Sequence, residues 1–123
     1  MKTSYNPEDV TVLLKDITGR IKPLSTQERE KKIQQGVHYS EMLPLEYRPS
    51  EQYMKLYREA LALHSKKTAE AVQVLGEKIL SQKGKEAVLV SLARAGTPIG
   101  ILLKRYFQKM YGMDVPHYTI SII

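Results

Sequence analysis

The sequence predicts an α/β fold, with N-terminal helices packed on a parallel strand–helix–strand unit. Three observations carry this. Ala87-Val88-Leu89-Val90-Ser91-Leu92 is a short, nearly continuous apolar run rich in β-branched residues, as in a strand covered on both faces. Ile99, Leu102, Leu103, Tyr106 and Met110 then recur at helical spacing, with Lys104, Arg105, Gln108 and Lys109 opposite them. Tyr118, Ile120 and Ile122 alternate with His117, Thr119 and Ser121, the period of a strand. Strand, helix and strand in this order make a parallel βαβ unit.

The joint between the first strand and the helix is Ala93-Arg94-Ala95-Gly96-Thr97-Pro98. Thr97 suits the helix cap, and Pro98 the first helical position, where a missing N–H costs nothing. Tyr111-Gly112 marks the helix stop. A helix N-terminus at the carboxyl edge of a parallel sheet offers unpaired N–H groups and a positive dipole end, a usual place for a phosphate. Gly96 would let the backbone approach such a ligand, and Arg94 would grip its oxygens. The other reading is a plain turn glycine beside a solvated arginine. Spacing alone leaves both open.

Composition excludes several classes. The 123 residues contain no cysteine, so disulfides, thiolate zinc sites and a cysteine nucleophile are absent from this sequence. Met1-Lys2 leads into Thr3-Ser4-Tyr5-Asn6-Pro7 rather than an apolar leader, and no apolar run approaches membrane-spanning length. A cytoplasmic protein without a membrane partner is expected. Lysine and arginine number 19 against 13 acidic residues, for a net charge of +6. That excess suits anionic partners, but it is spread thinly, with Lys31-Lys32, Lys66-Lys67 and Lys83/Lys85 as small clusters. Nucleic acid is permitted as a partner rather than indicated. His38, His64 and His117 are scattered, which gives no metal-ligand spacing.

Along the chain, Asn6-Pro7-Glu8-Asp9 reads as a helix start, continued by Val10, Leu13, Leu14 and Ile17 and ended by Gly19. Ser25-Thr26-Gln27-Glu28 is a capping box opening a polar helix to about Gln35, stopped by Gly36. The stretch from Val37 to Pro49 has no period and reads as an ordered loop. It gathers His38, Tyr39, Glu41, Tyr47 and Arg48, either lining a site or strapping aromatic rings onto the core. Ser50 caps the next helical pattern, which either breaks at His64-Ser65 or runs on to Gln82, with Gly84 closing it.

This divides the chain into an N-terminal helical region, residues 1–85, and the start of an α/β core, residues 86–123. Two strands make a poor sheet, and the sequence stops inside an apolar strand. The expectation is an incomplete domain from a longer protein. A homodimer joined through the incomplete sheet edge is the other reading.

Residues 89–100, LVSLARAGTPIG, with the later Pro116-His117-Tyr118-Thr119-Ile120-Ser121-Ile122-Ile123, resemble the phosphoribosyltransferase-like family found with bacterial tellurite-resistance and stress operons. Its members also carry the name "cysteine protease StiP-like". Residues 29–44, REKKIQQGVHYSEMLP, resemble it too. Members are considerably longer than this chain. The resemblance implies the first part of a type I phosphoribosyltransferase-like, Rossmann-like fold. It also implies that Ala93, Arg94, Ala95, Gly96 and Thr97 hold the diphosphate of a phosphorylated ribose ligand such as phosphoribosyl pyrophosphate (PRPP). Magnesium would arrive on that diphosphate. His38, Tyr39, Glu41 and His117 are further site-lining candidates. The acidic ribose-binding strand of that fold is missing here, so this segment alone is not expected to act as a transferase. Two alternatives accompany this reading. One is a cysteine hydrolase whose nucleophile lies downstream, with His38 or His117 as base. The other is a non-catalytic module for nucleotides or RNA.

Overall fold

The computed structural model describes residues 3–121. It is a mixed α/β structure with three α-helices and a small parallel sheet among the described residues. The chain divides into two compact units. One holds the residues up to 15 and those from 58 onward, and the other holds residues 16–57.

The first unit is built on three strands, β1 (Thr11–Val12), β2 (Leu89–Leu92) and β3 (His117–Ile120). Their order is β1-β3-β2, all parallel, with β3 in the middle. Val90 lies opposite Tyr118 and Ser91 opposite Thr119. Between β2 and β3 runs α3 (Gly96–Tyr111), so the expected βαβ unit is present. Gly112 ends α3 at φ 64°, a left-handed conformation that glycine adopts without penalty.

The expected helix from Asn6 to Gly19 is replaced by a turn and a strand. The cap pattern forms one turn, with the Glu8 N–H donating to Asn6 Oδ1 and the Asp9 N–H to the Asn6 carbonyl. The chain then extends. Val10, Thr11 and Val12 are three β-branched residues in a row, which suit a strand better than a helix. β1 pairs with β3, and the Leu13 N–H donates to the Thr119 carbonyl. A sheet edge outcompetes a marginal amphipathic helix, because a short helix is weak without tertiary packing.

The core of this unit is Phe107, Leu103, Leu89, Val115 and Val72, with Ile79, Leu80, Tyr106 and Met113 packed around it. Val72 comes from α2 (Glu51–Lys83), a single helix of 33 residues that continues through His64-Ser65. Gly76 lets α2 approach α3 closely, since a Cβ there would stand 2.8 Å from the Tyr106 ring. The next residue, Glu77, accepts hydrogen bonds from the hydroxyls of Tyr106 and Tyr111. Those bonds hold the Glu77 carboxyl below its ordinary value, Tyr106 first and Tyr111 second.

The alternation along β3 runs opposite to the simple expectation. His117 and Thr119 are buried, Tyr118 is half-buried, and Ile120 is exposed. On β2, Leu89 and Ser91 are buried while Val90 and Leu92 are exposed. The strands therefore turn their polar or mixed face toward α3 and their apolar face away from it.

In the second unit, α1 (Thr26–Gln34) begins at the predicted capping box. The Ser25 N–H donates to Glu28 Oε2 at 2.8 Å, and the Glu28 N–H donates to Ser25 Oγ at 3.3 Å. Residues 43–45 are ordered by backbone pairing with Leu24, whose N–H donates to the Leu43 carbonyl. Met42 is buried in this unit.

Candidate functional site

The joint after β2 stands where the sequence places it, at the carboxyl edge of the parallel sheet. α3 begins at Gly96, one residue before the expected cap. Ala95 occupies the cap position and supplies no side-chain bond. Thr97 is not a cap. It is 1% exposed, and its hydroxyl lies 2.7 Å from that of Thr119. Pro98 is in the first helical turn, where its missing N–H leaves no bond unmade. Arg94 and Ala95 are exposed, and the Ala93–Arg94 peptide is cis. Ala93 is tied to the sheet, its N–H donating to the Ile120 carbonyl at 2.8 Å.

Beneath α3 lies a buried polar chain that spacing in the sequence did not reveal. Ser91 Oγ is 2.7 Å from His117 Nε2, and His117 Nδ1 is 2.9 Å from the Asp9 carbonyl oxygen. A carbonyl only accepts, so Nδ1 carries a proton. In the neutral ring Nε2 is therefore the acceptor and the Ser91 hydroxyl the donor. The Asp9 carboxylate meets Arg105 in a forked pair, Nε to Oδ1 at 2.8 Å and Nη2 to Oδ2 at 2.5 Å. The Arg105 hydrogen bonds hold the Asp9 carboxyl below its ordinary value, against the opposing effect of burial. Four parts of the chain are thereby joined: the turn before β1, strand β2, helix α3 and strand β3.

The order hydroxyl, imidazole and carbonyl resembles a nucleophile–base pair, but the setting does not suit one. His117 is 3% exposed. Gly100 presses on the pair so closely that a Cβ would stand 2.2 Å from Nε2 and 2.3 Å from Ser91 Oγ. No substrate atom fits between them. The contact is a lock between β2 and β3, and Gly100 is what lets α3 lie against it.

His38, Tyr39 and Glu41 cluster on the short 3-10 turn Tyr39–Glu41 of the second unit. His38 precedes this turn, is exposed, and has Ser40 Oγ 2.5 Å from its Nδ1. Its ring centroid is 4.6 Å from that of Tyr39. His117 belongs to the sheet unit, so the four site-lining candidates do not all fall within one unit. Among the described residues, no three His, Asp or Glu side chains group to hold a metal ion.

Two depressions mark the sheet unit. A polar one of about 240 Å³ lies where β3 begins, among Glu8, Thr11, Lys104, Asp114 and Tyr118. There Lys104 pairs with Asp114 and donates to the Val115 carbonyl at 2.9 Å. The other, of about 310 Å³, is an apolar groove beside β2 with Leu92, Gly96, Ile99 and Leu103 in its walls. Gly96 is its sole contribution from the predicted ligand loop.

Fold and site define a class: a mixed α/β protein on a small parallel sheet, with its polar network sealed inside. No solved structure matches it. A family model described as "Tellurite-like stress resistance cysteine protease StiP" matches residues 3–123. The chain belongs to this family. A curated relative, "Cysteine protease StiP" of Acinetobacter baylyi (strain ATCC 33305 / BD413 / ADP1), is 40% identical over 121 residues. That match covers 98% of this chain and 31% of the relative, so the chain spans about a third of the relative's length.

These names correct the leading functional expectation. The family and the relative are described as cysteine proteases, which overturns the reading as a phosphoribosyltransferase-like transferase domain for PRPP or a related ribose diphosphate. The geometry removes part of its support as well. Thr97, one of the five residues assigned to the ligand, spends its hydroxyl on Thr119 inside the fold. No helix among the described residues is long and apolar enough to cross a membrane.

Proposed function

We propose that this chain is the framework portion of a StiP-family cysteine hydrolase, with the nucleophilic thiol supplied by protein outside these 123 residues. One observation carries the reading: a family described as a cysteine protease matches residues 3–123, yet the sequence contains no cysteine. A thiolate nucleophile needs an imidazole or another cation beside it to be active near neutral pH. His38 is the imidazole best suited to that role. It is exposed, its Nδ1 accepts from the Ser40 N–H, and its Nε2–H is therefore the group that would face a thiolate. His117 has both nitrogens occupied and is buried.

The test is a chimera in which residues 3–123 replace the matched third of the Acinetobacter baylyi protein, assayed on a fluorogenic peptide. A thiol-directed probe should label the chimera and leave the 123-residue chain unlabelled. His38→Ala should lower kcat by about 10²–10⁴, the usual worth of a positioned acid–base group, while His64→Ala stays within about twofold. Equal activity of His38→Ala and the parent would remove His38 from the mechanism. Activity that survives complete thiol alkylation would remove the cysteine.

A further inference from the structure

β2 is an edge strand that looks like an interior one. Its inner edge is fully used: the Leu89 N–H donates to the Pro116 carbonyl and the Ala93 N–H to the Ile120 carbonyl. With this register the odd-numbered residues bond to β3. The N–H and C=O groups of Val90 and Leu92 therefore face the opposite, open edge. Proteins protect such edges with charges, proline, bulges or very short strands. β1, on the far side of the sheet, is only two residues long and so protected. β2 is twice as long, and Ala87 to Leu92 contains no charge and no proline.

The surfaces beside that edge are apolar as well. The groove along it is walled by Leu92, Ile99 and Leu103. On the sheet face turned from α3, Val88, Val90 and Leu92 are 55%, 61% and 47% exposed, with Ile120 beside them at 37%. A parallel sheet is ordinarily covered on both faces. Here one face has α3, while Val88, Val90, Leu92 and Ile120 on the other stay exposed.

We propose that this edge and face dock a further parallel β-strand, with its apolar covering segment, from the part of a StiP-family protein outside these 123 residues. The length of that part favours it over a second copy of the chain, since the matched region is 31% of the curated relative. Geometry favours it too. Two copies related by a two-fold axis would join β2 to β2 antiparallel, whereas a strand from the same protein can extend the parallel sheet. The incoming strand would bond to Val90 and Leu92 and fill the groove against Ile99. Strand addition does not depend on His38 serving as the base.

The test co-expresses the full 123-residue chain with the portion of the Acinetobacter baylyi protein that the match leaves uncovered. A 1:1 complex is expected by native mass spectrometry, with the Val90 and Leu92 amides exchanging at least about tenfold more slowly than in the chain alone. Val90→Pro removes an N–H from the open edge without touching a β2–β3 bond, and should weaken the complex by about tenfold or more. Val90→Lys should do the same by placing a charge in the interface. The 3–123 chimera supplies the same two amides in a covalent context, should the separate portion not fold. Unprotected Val90 and Leu92 amides in the chimera would overturn the proposal. So would a homodimer of the chain alone that protects them, or a complex indifferent to both variants.

Discussion

The two faces of the sheet are built on opposite plans. Toward α3 the strands present Ser91, His117 and Thr119, and every one of these groups is bonded inside the protein. Away from α3 they present Val88, Val90, Leu92 and Ile120, which are all exposed. A buried polar network demands fixed geometry, because each unpaired group in it is costly. An exposed apolar face demands nothing from the isolated chain and gains only when something covers it. The contrast teaches that the apolar side of a strand need not be the side already buried. The closed face fixes this unit, and the open face offers it to a partner.

Substitutions should separate the two faces sharply. Phe107→Ala, at the fully buried centre of the closed side, should cost about 3–5 kcal/mol and show as a large fall in Tm. Gly100→Ala comes next. Its Cβ would fall within 2.3 Å of Ser91 Oγ and His117 Nε2, forcing α3 off the sheet at about 1–3 kcal/mol by denaturant unfolding. A Gly100→Ala protein as stable as the parent would mean that the lock is not formed. Asp9→Asn should cost on the order of 1 kcal/mol, discounted because Arg105 is largely exposed. The smallest effect belongs to the open face. Val90→Lys should change the stability of the isolated chain by less than about 0.5 kcal/mol.

Acid should test the Asp9–Arg105 pair further. The folded pKa of Asp9 lies below its ordinary value, so unfolding takes up a proton as the pH falls. The pair's contribution is fully present above the ordinary aspartate range. It is lost as the pH drops through that range toward the depressed folded value. The stability difference between the parent and Asp9→Asn should therefore shrink below about pH 4. A difference constant from pH 7 down to pH 2 would show that the carboxylate charge does not matter.

The elements with strong local signals were legible in the sequence. The Ser25/Glu28 capping box, the glycine stops at Gly36, Gly84 and Gly112, and the βαβ order all stand in the structure. What the sequence hid depends on contacts between distant residues. Nothing local says that Asp9 will offer its carbonyl to His117, 108 positions away, so the Asn6–Asp9 cap pattern read as a helix rather than as the approach to β1. Thr97 looked like a cap because threonine suits that position and proline the one after it. Only the hydroxyl of Thr119 beneath it explains why it turns inward. Gly100 read as one more helical residue, and only the space between α3 and the sheet shows why a side chain is not tolerated there. The ligand reading of residues 93–97 rested on the family resemblance together with the joint's local form, which is common to many α/β proteins and does not fix a function.

Residue-resolved amide hydrogen exchange along β2 in the isolated 123-residue chain tests the two-faced sheet most directly. Alternation is expected: Leu89, Ser91 and Ala93 protected by β3, Val90 and Leu92 exchanging at least about tenfold faster. Uniform protection from Leu89 to Ala93 would mean that the outer edge is already paired and that β2 is not an open, partner-ready strand.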